Sequence, residues 1–201
     1  MGAHVGAFSF AALRRGAGHV FAVEPLGVNA QLLQANLADW ADKVTIVEVA
    51  AWSHETELVL GEDSCHVPGN TSTCTAFRGT DAGRAIQAVP LDRLIVQAAQ
   101  ASSTQTVKLF KIDADGAEYP ALLNSTKLNH VEVIVGEIHR NVDWQGRVCG
   151  PEDIAGRLES VGFRFRAKEN GPNTVLFHAT NGAVEGCAQA GDVHAFEEAT
   201  K

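Results

Sequence analysis

The chain has 201 residues, of which 45% are hydrophobic, and a formal net charge of −8. This length accommodates one α/β domain with a sizeable core and excludes two ordinary ones. The acidic balance argues against nucleic-acid binding, which needs clustered positive charge, and no apolar run approaches the roughly 20 residues of a membrane span. We therefore expect a soluble, cytoplasmic protein that acts on a small molecule, with no nucleic-acid partner and no membrane span.

The first predicted feature is a turn bracketed by Gly2 and Gly6. Residues 7–15 follow as a short alanine-rich helix with a glycine stop, and residues 19–23 as a buried strand. Glycines let the backbone approach a ligand closely, and the start of a helix turns unpaired amides and a positive dipole end toward that ligand. Because such a turn normally follows a buried strand, the first strand of the fold is expected to be missing.

Glu24 follows the strand, about 20 residues beyond the turn, where an acid accepts hydrogen bonds from both ribose hydroxyls. The turn and this acid together predict a nucleoside site. NAD and S-adenosylmethionine both fit these two features. The turn lacks the third glycine of the dinucleotide pattern, which favours a cofactor without a diphosphate bridge.

The next segment predicts a helix, a strand and a long loop. Residues 26–40 have the spacing of an amphipathic helix and residues 44–51 the β-branched content of a strand, with the helix's apolar stripe formed by Leu32, Leu33, Leu37 and Trp40. Residues 61–83 change to Gly, Ser, Thr, Asn and Asp and predict a loop. We expect this loop to cover the pocket and set acceptor choice; the alternative is a disordered surface insertion.

The rest of the chain alternates predicted helices and strands. A short helix begins at Leu91, a strand spans 107–112, a helix reaches about Leu123, and an almost continuous apolar strand spans 131–138. A helix over 152–160 precedes an antiparallel strand pair over 163–167 and 174–178. The predicted domain is therefore 1–178, with a peripheral or mobile tail over 179–201. The four cysteines lack zinc-site spacing and are expected to be inert thiols.

Five sequence blocks in order resemble the FkbM family of S-adenosylmethionine-dependent methyltransferases. The blocks are Gly2-Ala3-His4-Val5-Gly6, Val23-Glu24-Pro25, Leu91-Asp92-Arg93-Leu94, Lys111-Ile112-Asp113-Ala114-Asp115-Gly116-Ala117-Glu118 and Gly136-Glu137-Ile138-His139. The resemblance runs from Met1 to about His139. Asp115 stands where the family hallmark usually has Glu, with the charge kept.

The resemblance implies a Rossmann-like class I methyltransferase sheet, mainly parallel with an antiparallel C-terminal edge hairpin, and S-adenosylmethionine at the carboxyl ends of its strands. It also implies O-methylation of a hydroxyl group. By position, residues of the glycine turn would surround the methionine part, an acid would bind the ribose, and two residues would flank the adenine: Gly2, Ala3, His4 and Gly6; Glu24; Ala51 and Trp52. Asp113 and Glu118 would lie near the sulfonium and the acceptor, with Glu137 and His139 on the neighbouring strand end.

Methyl transfer requires mainly positioning and the removal of one proton. His139, with an ordinary pKa near 6.5, is the preferred general base, and Asp113 is the alternative. Asp115 and Glu118 also have the spacing of a helix capping box without chemical function, although Pro120 then requires a later helix start. A further reading makes Asp113 and Asp115 ligands for Mg²⁺, but no third ligand is recognisable, so no metal is expected.

Three functions follow from these patterns. The first is an S-adenosylmethionine-dependent O-methyltransferase acting on a small molecule or saccharide. The second is a truncated, catalytically silent binding module, because loss of a central strand leaves unpaired backbone on both neighbouring strands. The third is a nicotinamide oxidoreductase.

Overall fold

The computed structural model describes residues 1–61 and 83–184. The helices of these residues are α1 Ala7–Arg14, α2 Gly27–Asn36, α3 Leu91–Gln100, α4 Glu118–Asn124 and α5 Pro151–Ser160. The strands are β1 Val20–Val23, β2 Val44–Val47, β3 Ala50–Trp52, β4 Thr56–Gly61, β5 Gly83–Pro90, β6 Val107–Ile112, β7 Val131–His139, β8 Val142–Trp144, β9 Arg147–Cys149, β10 Phe163–Glu169 and β11 Thr174–Asn181. None of the helices within these ranges is long and apolar enough to cross a membrane.

The largest sheet has the strand order β10-β11-β7-β6. β6 runs parallel to β7, and β11 runs antiparallel to both β7 and β10. The α/β fold and the antiparallel hairpin at the C-terminal edge are therefore confirmed. Since parallel strands end at the same edge of a sheet, Asp113, which follows β6, and His139, which ends β7, lie side by side.

Smaller ladders complete the fold. β1 pairs with β2 in parallel, and a three-stranded sheet has the order β3-β5-β4. β3 and β5 are parallel, whereas β4 and β5 form an antiparallel hairpin whose last pair is Gly61 with Gly83. The predicted cover over 61–83 thus lies, apart from its two ends, outside the described residues. Strands β8 and β9 form a second hairpin that the sequence analysis did not predict.

The glycine turn connects two ladders. Within the described residues β1 and β6 belong to separate ladders, and residues 1–3 reach both of them. The Met1 amino nitrogen donates to the Lys111 carbonyl oxygen of β6 at 2.8 Å, and the Ala3 amide donates to the Val23 carbonyl oxygen of β1 at 3.0 Å. The turn therefore lies between the carboxyl ends of β1 and β6.

The main core lies between the large sheet and its helices. Ile112, Ile134 and Ile138 are fully buried there, with Leu122 of α4 and Leu158 of α5 packed into the same cluster. A separate apolar cluster joins α1 and α2 to the β1-β2 pair. These two clusters fix the strand ends on which the candidate functional residues lie.

Asp92 provides a polar tie between α3 and the turn after α4. Its carboxylate accepts hydrogen bonds from the Ser125 hydroxyl at 2.6 Å, from the Thr126 amide and hydroxyl, and from the Lys127 amide. Burial raises the pKa of Asp92, but these hydrogen bonds outweigh it and hold the pKa below the ordinary value. The acid of the Leu91–Leu94 block thus has a structural part.

Three predicted boundaries differ from the structure. The helix predicted over 26–40 ends at Asn36, and a 3-10 segment over Ala38–Lys43 follows, with Trp40 in a non-helical conformation. Leu32, predicted for the apolar stripe, is 49% exposed because the sheet-facing side of the shorter helix holds Leu33 instead. The strand predicted over 44–51 is two strands, since β2 pairs with β1 whereas β3 pairs with β5.

The C-terminal strand is longer than predicted. β11 continues through Asn181, and its Ala179 is fully buried against the core, although the sequence analysis places 179–201 in a peripheral tail. Residues 185–201 lie outside the described ranges. Cys149 is a buried free thiol, and the other three cysteines also fall outside those ranges.

Candidate functional site

A cavity of about 290 Å³ lies at the carboxyl ends of β1, β3 and β6. The glycine turn, the start of α1 and the β4-β5 hairpin complete its walls. Seven of the predicted cofactor residues line it, namely Gly2, Ala3, His4, Glu24, Ala51, Trp52 and Asp113. The structure thus brings together residues that the sequence spreads over more than one hundred positions.

The two turn glycines have different structural reasons. Gly2 has a φ of +67°, and a Cβ there would lie 1.8 Å from the Asp113 carbonyl oxygen, so only glycine lets the turn approach the end of β6 this closely. Gly6 has a φ of +94° and caps α1, where a Cβ would press on Leu33 of α2 at 3.3 Å. Gly6 is not among the residues that line this cavity, and its predicted cofactor contact stays a prediction.

Glu24 fastens the turn to β1. One carboxylate oxygen, Oε2, accepts from the His4 amide at 2.8 Å; the other, Oε1, accepts from the Leu26 amide at 3.2 Å and the Asn29 side-chain amide at 3.1 Å. The residue is 4% exposed yet lines the cavity. A carboxylate offers about four acceptor positions, so three donors leave capacity for a ligand hydroxyl.

Part of the cavity lining is an apolar wall. It contains Ala51 and Trp52 of β3, and Trp52 packs edge to face on Trp144 of β8 with ring centroids 5.3 Å apart. Leu58 and Ile86 of the β4-β5 hairpin extend the wall. The sequence analysis missed the hairpin residues and Trp144, and the alternating apolar positions of residues 56–60 were the available signal.

The acidic turn after β6 closes the cavity on its other side. Asp113 receives a hydrogen bond from the Lys111 ammonium at 3.1 Å, and the same ammonium donates to the Gly2 carbonyl oxygen at 3.2 Å. Asp115 also lines the cavity and has a left-handed backbone with a φ of 48°. The turn therefore presents two carboxyl groups to the cavity, of which the sequence analysis assigned catalysis or cofactor contact to Asp113 alone.

Glu118 organises this turn from behind. It is fully buried and accepts hydrogen bonds from the Ala114 amide at 2.6 Å and the Gly116 amide at 2.8 Å. Helix α4 begins at Glu118 itself, so Asp115 is not its cap and the capping-box reading is wrong. Pro120 falls at the third helical position, where no intrahelical amide donor is needed, which explains the late helix start.

His139 lies between two carboxylates. Its Nδ1 is 3.3 Å from Glu118 Oε1, and its Nε2 is 3.5 Å from Asp115 Oδ1. Burial lowers the pKa of His139, but the Glu118 hydrogen bond and the charges of Glu118 and Asp115 outweigh it and raise the pKa to about 9. The imidazole is thus protonated near neutral pH, and neither His139 nor Glu118 is among the described lining residues, which counts against His139 as the base.

The pKa of Asp115 is also displaced. Burial raises it, the charge of His139 lowers it, and the charges of Asp113, Glu118 and Glu137 raise it again, to about 7. A carboxyl group with this pKa is divided between its acid and base forms near neutral pH. The cavity therefore has one wall carboxyl that exchanges a proton in the physiological range.

The cluster of Asp113, Glu118 and His139 places one donor atom from each within 4.8 Å of the others. Glu118 Oε1 already accepts from the Ala114 amide and contacts Nδ1 of His139, and Lys111 pairs with Asp113. These partners already engage the carboxylates within the protein. The three side chains form a hydrogen-bonded ion cluster, and the expectation that no metal binds here stays a prediction.

A family model and two solved structures match this chain. A family model described as the methyltransferase FkbM domain matches residues 1–165. A solved structure described as methyltransferase FkbM from Methylobacillus flagellatus is 19% identical, with a TM-score of 0.56, over 88% of this chain and 41% of that one. A putative RNA methyltransferase from Pyrococcus horikoshii is 13% identical, with a TM-score of 0.44, over 90% of this chain and 72% of that one. The chain thus spans less than half of the Methylobacillus protein, and no curated protein matches it significantly.

Proposed function

Because the chain belongs to the methyltransferase FkbM domain family, we propose that its cavity binds S-adenosylmethionine and supports methyl transfer to a hydroxyl oxygen of a small molecule or saccharide. One observation carries the proposal: the glycine turn, Glu24, β3 and the acidic turn line a single cavity at the carboxyl edge of the strands. Ligands of open α/β sheets bind at that edge.

The lining fits the parts of an adenosyl sulfonium compound. Glu24 has acceptor capacity for ribose hydroxyls, and the apolar wall around Ala51 and Trp52 suits the adenine ring. The amides of the glycine turn and the start of α1 suit the methionine carboxylate. Asp113 adds a carboxylate to the lining, and a carboxylate favours a sulfonium nearby.

When bound, S-adenosylmethionine supplies a methyl group activated by the sulfonium charge. The protein orients the acceptor oxygen in line with it and holds a group that receives the hydroxyl proton. The carboxyl groups of the acidic turn, Asp113 and Asp115, are among the lining residues able to do so. The hydroxyl as acceptor and the small-molecule or saccharide class are parts of the proposal that rest on family resemblance.

Calorimetry tests the cofactor assignment. We expect S-adenosylhomocysteine to bind saturably with one site per chain, and NAD⁺ and NADH not to bind. Binding of the nicotinamide compounds alone would support the oxidoreductase reading instead. Incubation with S-adenosylmethionine labelled in its methyl group and a panel of saccharides and phenols then separates an enzyme, which labels one of them, from a silent binding module, which labels none.

A further inference from the structure

We propose that Asp115 is the catalytic residue that accepts the acceptor's hydroxyl proton, and that His139, held by Glu118, is a positioning residue that keeps Asp115 ionised and oriented. This inference rests on the proposed function and deepens it. It replaces the expectation that His139 itself is the base.

Asp115 and His139 differ in their position relative to the cavity. Asp115 and His139 contact each other at 3.5 Å, but Asp115 is the one that lines the cavity. The backbone of Asp115 takes a left-handed conformation between Ala114 and Gly116. Glu118 binds the amides of both flanking residues, so the buried carboxylate that orients His139 also fixes the turn that carries Asp115.

The balance of charge around Asp115 also supports its role as the base. Asp113, Glu118 and Glu137 face it as negative groups, and His139 is the positive group beside it. Lys111 is engaged with Asp113 and the Gly2 carbonyl oxygen. The imidazolium therefore opposes the burial and repulsion that would otherwise hold Asp115 protonated, and it leaves a pKa of about 7, suited to a general base near neutral pH.

The position of His139 itself supports the same assignment. Its Nδ1 is engaged by Glu118 and its Nε2 faces Asp115, so both ring nitrogens are directed at carboxylates. Tyr119 donates its hydroxyl hydrogen to the His139 carbonyl oxygen at 2.6 Å and fixes this end of β7. An imidazolium held in this way has no lone pair with which to take a proton from a substrate.

The proposed step conserves atoms, electrons and charge. The acceptor oxygen forms a bond to the methyl carbon, and the carbon–sulfur bond breaks with its electron pair remaining on sulfur, which becomes neutral. The hydroxyl proton passes to an Asp115 carboxylate oxygen. The net change converts a cationic donor and an anionic carboxylate into two neutral groups, and the proton later leaves Asp115 to solvent.

Carboxyl and imidazole titrations by ¹³C NMR test the inference without knowledge of the acceptor. We expect Asp115 to titrate near pH 7 and His139 near pH 9 in the wild type. Replacing S-adenosylhomocysteine by S-adenosylmethionine adds one positive charge at sulfur and is expected to lower the Asp115 pKa by about one unit. That comparison uses only the wild-type chain, so it stands even if a variant fails to fold.

Variants separate positioning from mere structure. His139→Gln is expected to raise the Asp115 pKa by more than about one unit, because the adjacent cation is lost. Glu118→Gln is expected to lower the His139 pKa by about one unit or more, because the adjacent negative charge is lost. Asp42→Asn, which removes an exposed carboxyl group far along the chain, is the matched control and should leave both values unchanged.

The outcomes separate this inference from the proposed function. If both adenosyl compounds bind but Asp115 titrates near pH 4, or ignores both His139→Gln and the exchange of the two compounds, the inference is overturned and the proposed function stands. If neither compound binds, the proposed function fails and this inference fails with it.

Discussion

At the residue scale, the acids of the site differ in what surrounds them rather than in their chemistry. Glu24 and Glu118 are both buried, and both accept hydrogen bonds from backbone amides. Each therefore has a structural role in addition to its position at the site. Asp115 is close in the chain to Glu118 but reaches the cavity. The role of each acid therefore depends on its burial and on the neighbouring charges, which are set by tertiary contacts.

The Glu24 assignment predicts a loss of affinity. Glu24→Gln keeps the side-chain shape but places an amide group opposite backbone donors and removes a charged acceptor. We expect S-adenosylhomocysteine to bind at least about tenfold more weakly by calorimetry, since hydrogen bonds to charged groups are worth about 1.5–3 kcal/mol. Glu132→Gln, at the far end of β7 beside Lys108, is the matched control. Equal affinity in the two variants would remove the ribose assignment.

His139 predicts a pH dependence of stability. Its pKa is raised from 6.5 to about 9 in the fold, so its contribution is fully present below pH 6.5 and is lost as the pH rises through 9. We expect the free energy of unfolding of the wild type, minus that of His139→Gln, to fall by on the order of 2 kcal/mol from pH 6 to 9.5. Urea titrations measure it, and the difference removes most other titrating groups. A difference that rises with pH contradicts the assignment.

At the scale of elements, the β6-β7 pair is the contact on which the site depends most. Its register sets Ile112 opposite Gly136, so Asp113 follows β6 at the sheet edge where β7 ends, and a donor atom of Asp113 lies within 4.8 Å of one of His139. Gly136 is the point of closest approach, because a Cβ there would lie 1.8 Å from the Ile112 carbonyl oxygen. The glycine of the Gly136–His139 block is therefore explained by packing rather than by ligand contact.

Gly136→Ala is expected to destabilise the fold by about 3 kcal/mol or more, since backbone of β6 must move to admit the methyl group. Gly156→Ala is the control: it lies exposed inside α5 with no atom near its added Cβ, and it should stabilise by about 0.5–1 kcal/mol. Urea unfolding followed by circular dichroism measures both. Unfolding of Gly136→Ala at the wild-type urea midpoint would show that β6 and β7 are less closely packed.

At the scale of the whole molecule, the described chain consists of ladders of unequal support. β7 has a hydrogen-bonded neighbour on each side and lies in the main core, whereas β1 and β2 form a two-stranded ladder over a smaller cluster. The glycine turn contacts both parts through residues 1–3. The part of the cavity that is proposed to bind the cofactor thus depends on the less supported ladder.

Hydrogen exchange tests this inequality. We expect amides of β7 and β11 to exchange last and those of β1, β2 and the β4-β5 hairpin earlier, because local opening of the smaller ladders exposes less apolar surface. S-adenosylhomocysteine should slow exchange in β1 and the glycine turn more than in β11. Uniform exchange across all ladders would show that they open as one cooperative unit.

The amino-acid sequence alone was enough to predict the α/β class, the family, the C-terminal hairpin and seven of the residues that line the cavity. These follow from local periodicity and from short motifs whose glycines and acids have a mechanical reason to be where they are. The ends of the elements were predicted less accurately. A short window of sequence does not reveal that β2 and β3 pair with different strands, or that β11 continues into the core.

The separate roles of the acidic residues became visible in the three-dimensional structure alone. It placed Glu118 behind the turn, His139 between two carboxylates and Asp115 on the cavity wall, and it added Trp144 and the β4-β5 hairpin to the site. The physical reason is that burial, charge proximity and close backbone approach depend on residues distant in sequence. A motif names the groups that meet at a sheet edge, but their three-dimensional neighbours set their protonation and their access to a ligand.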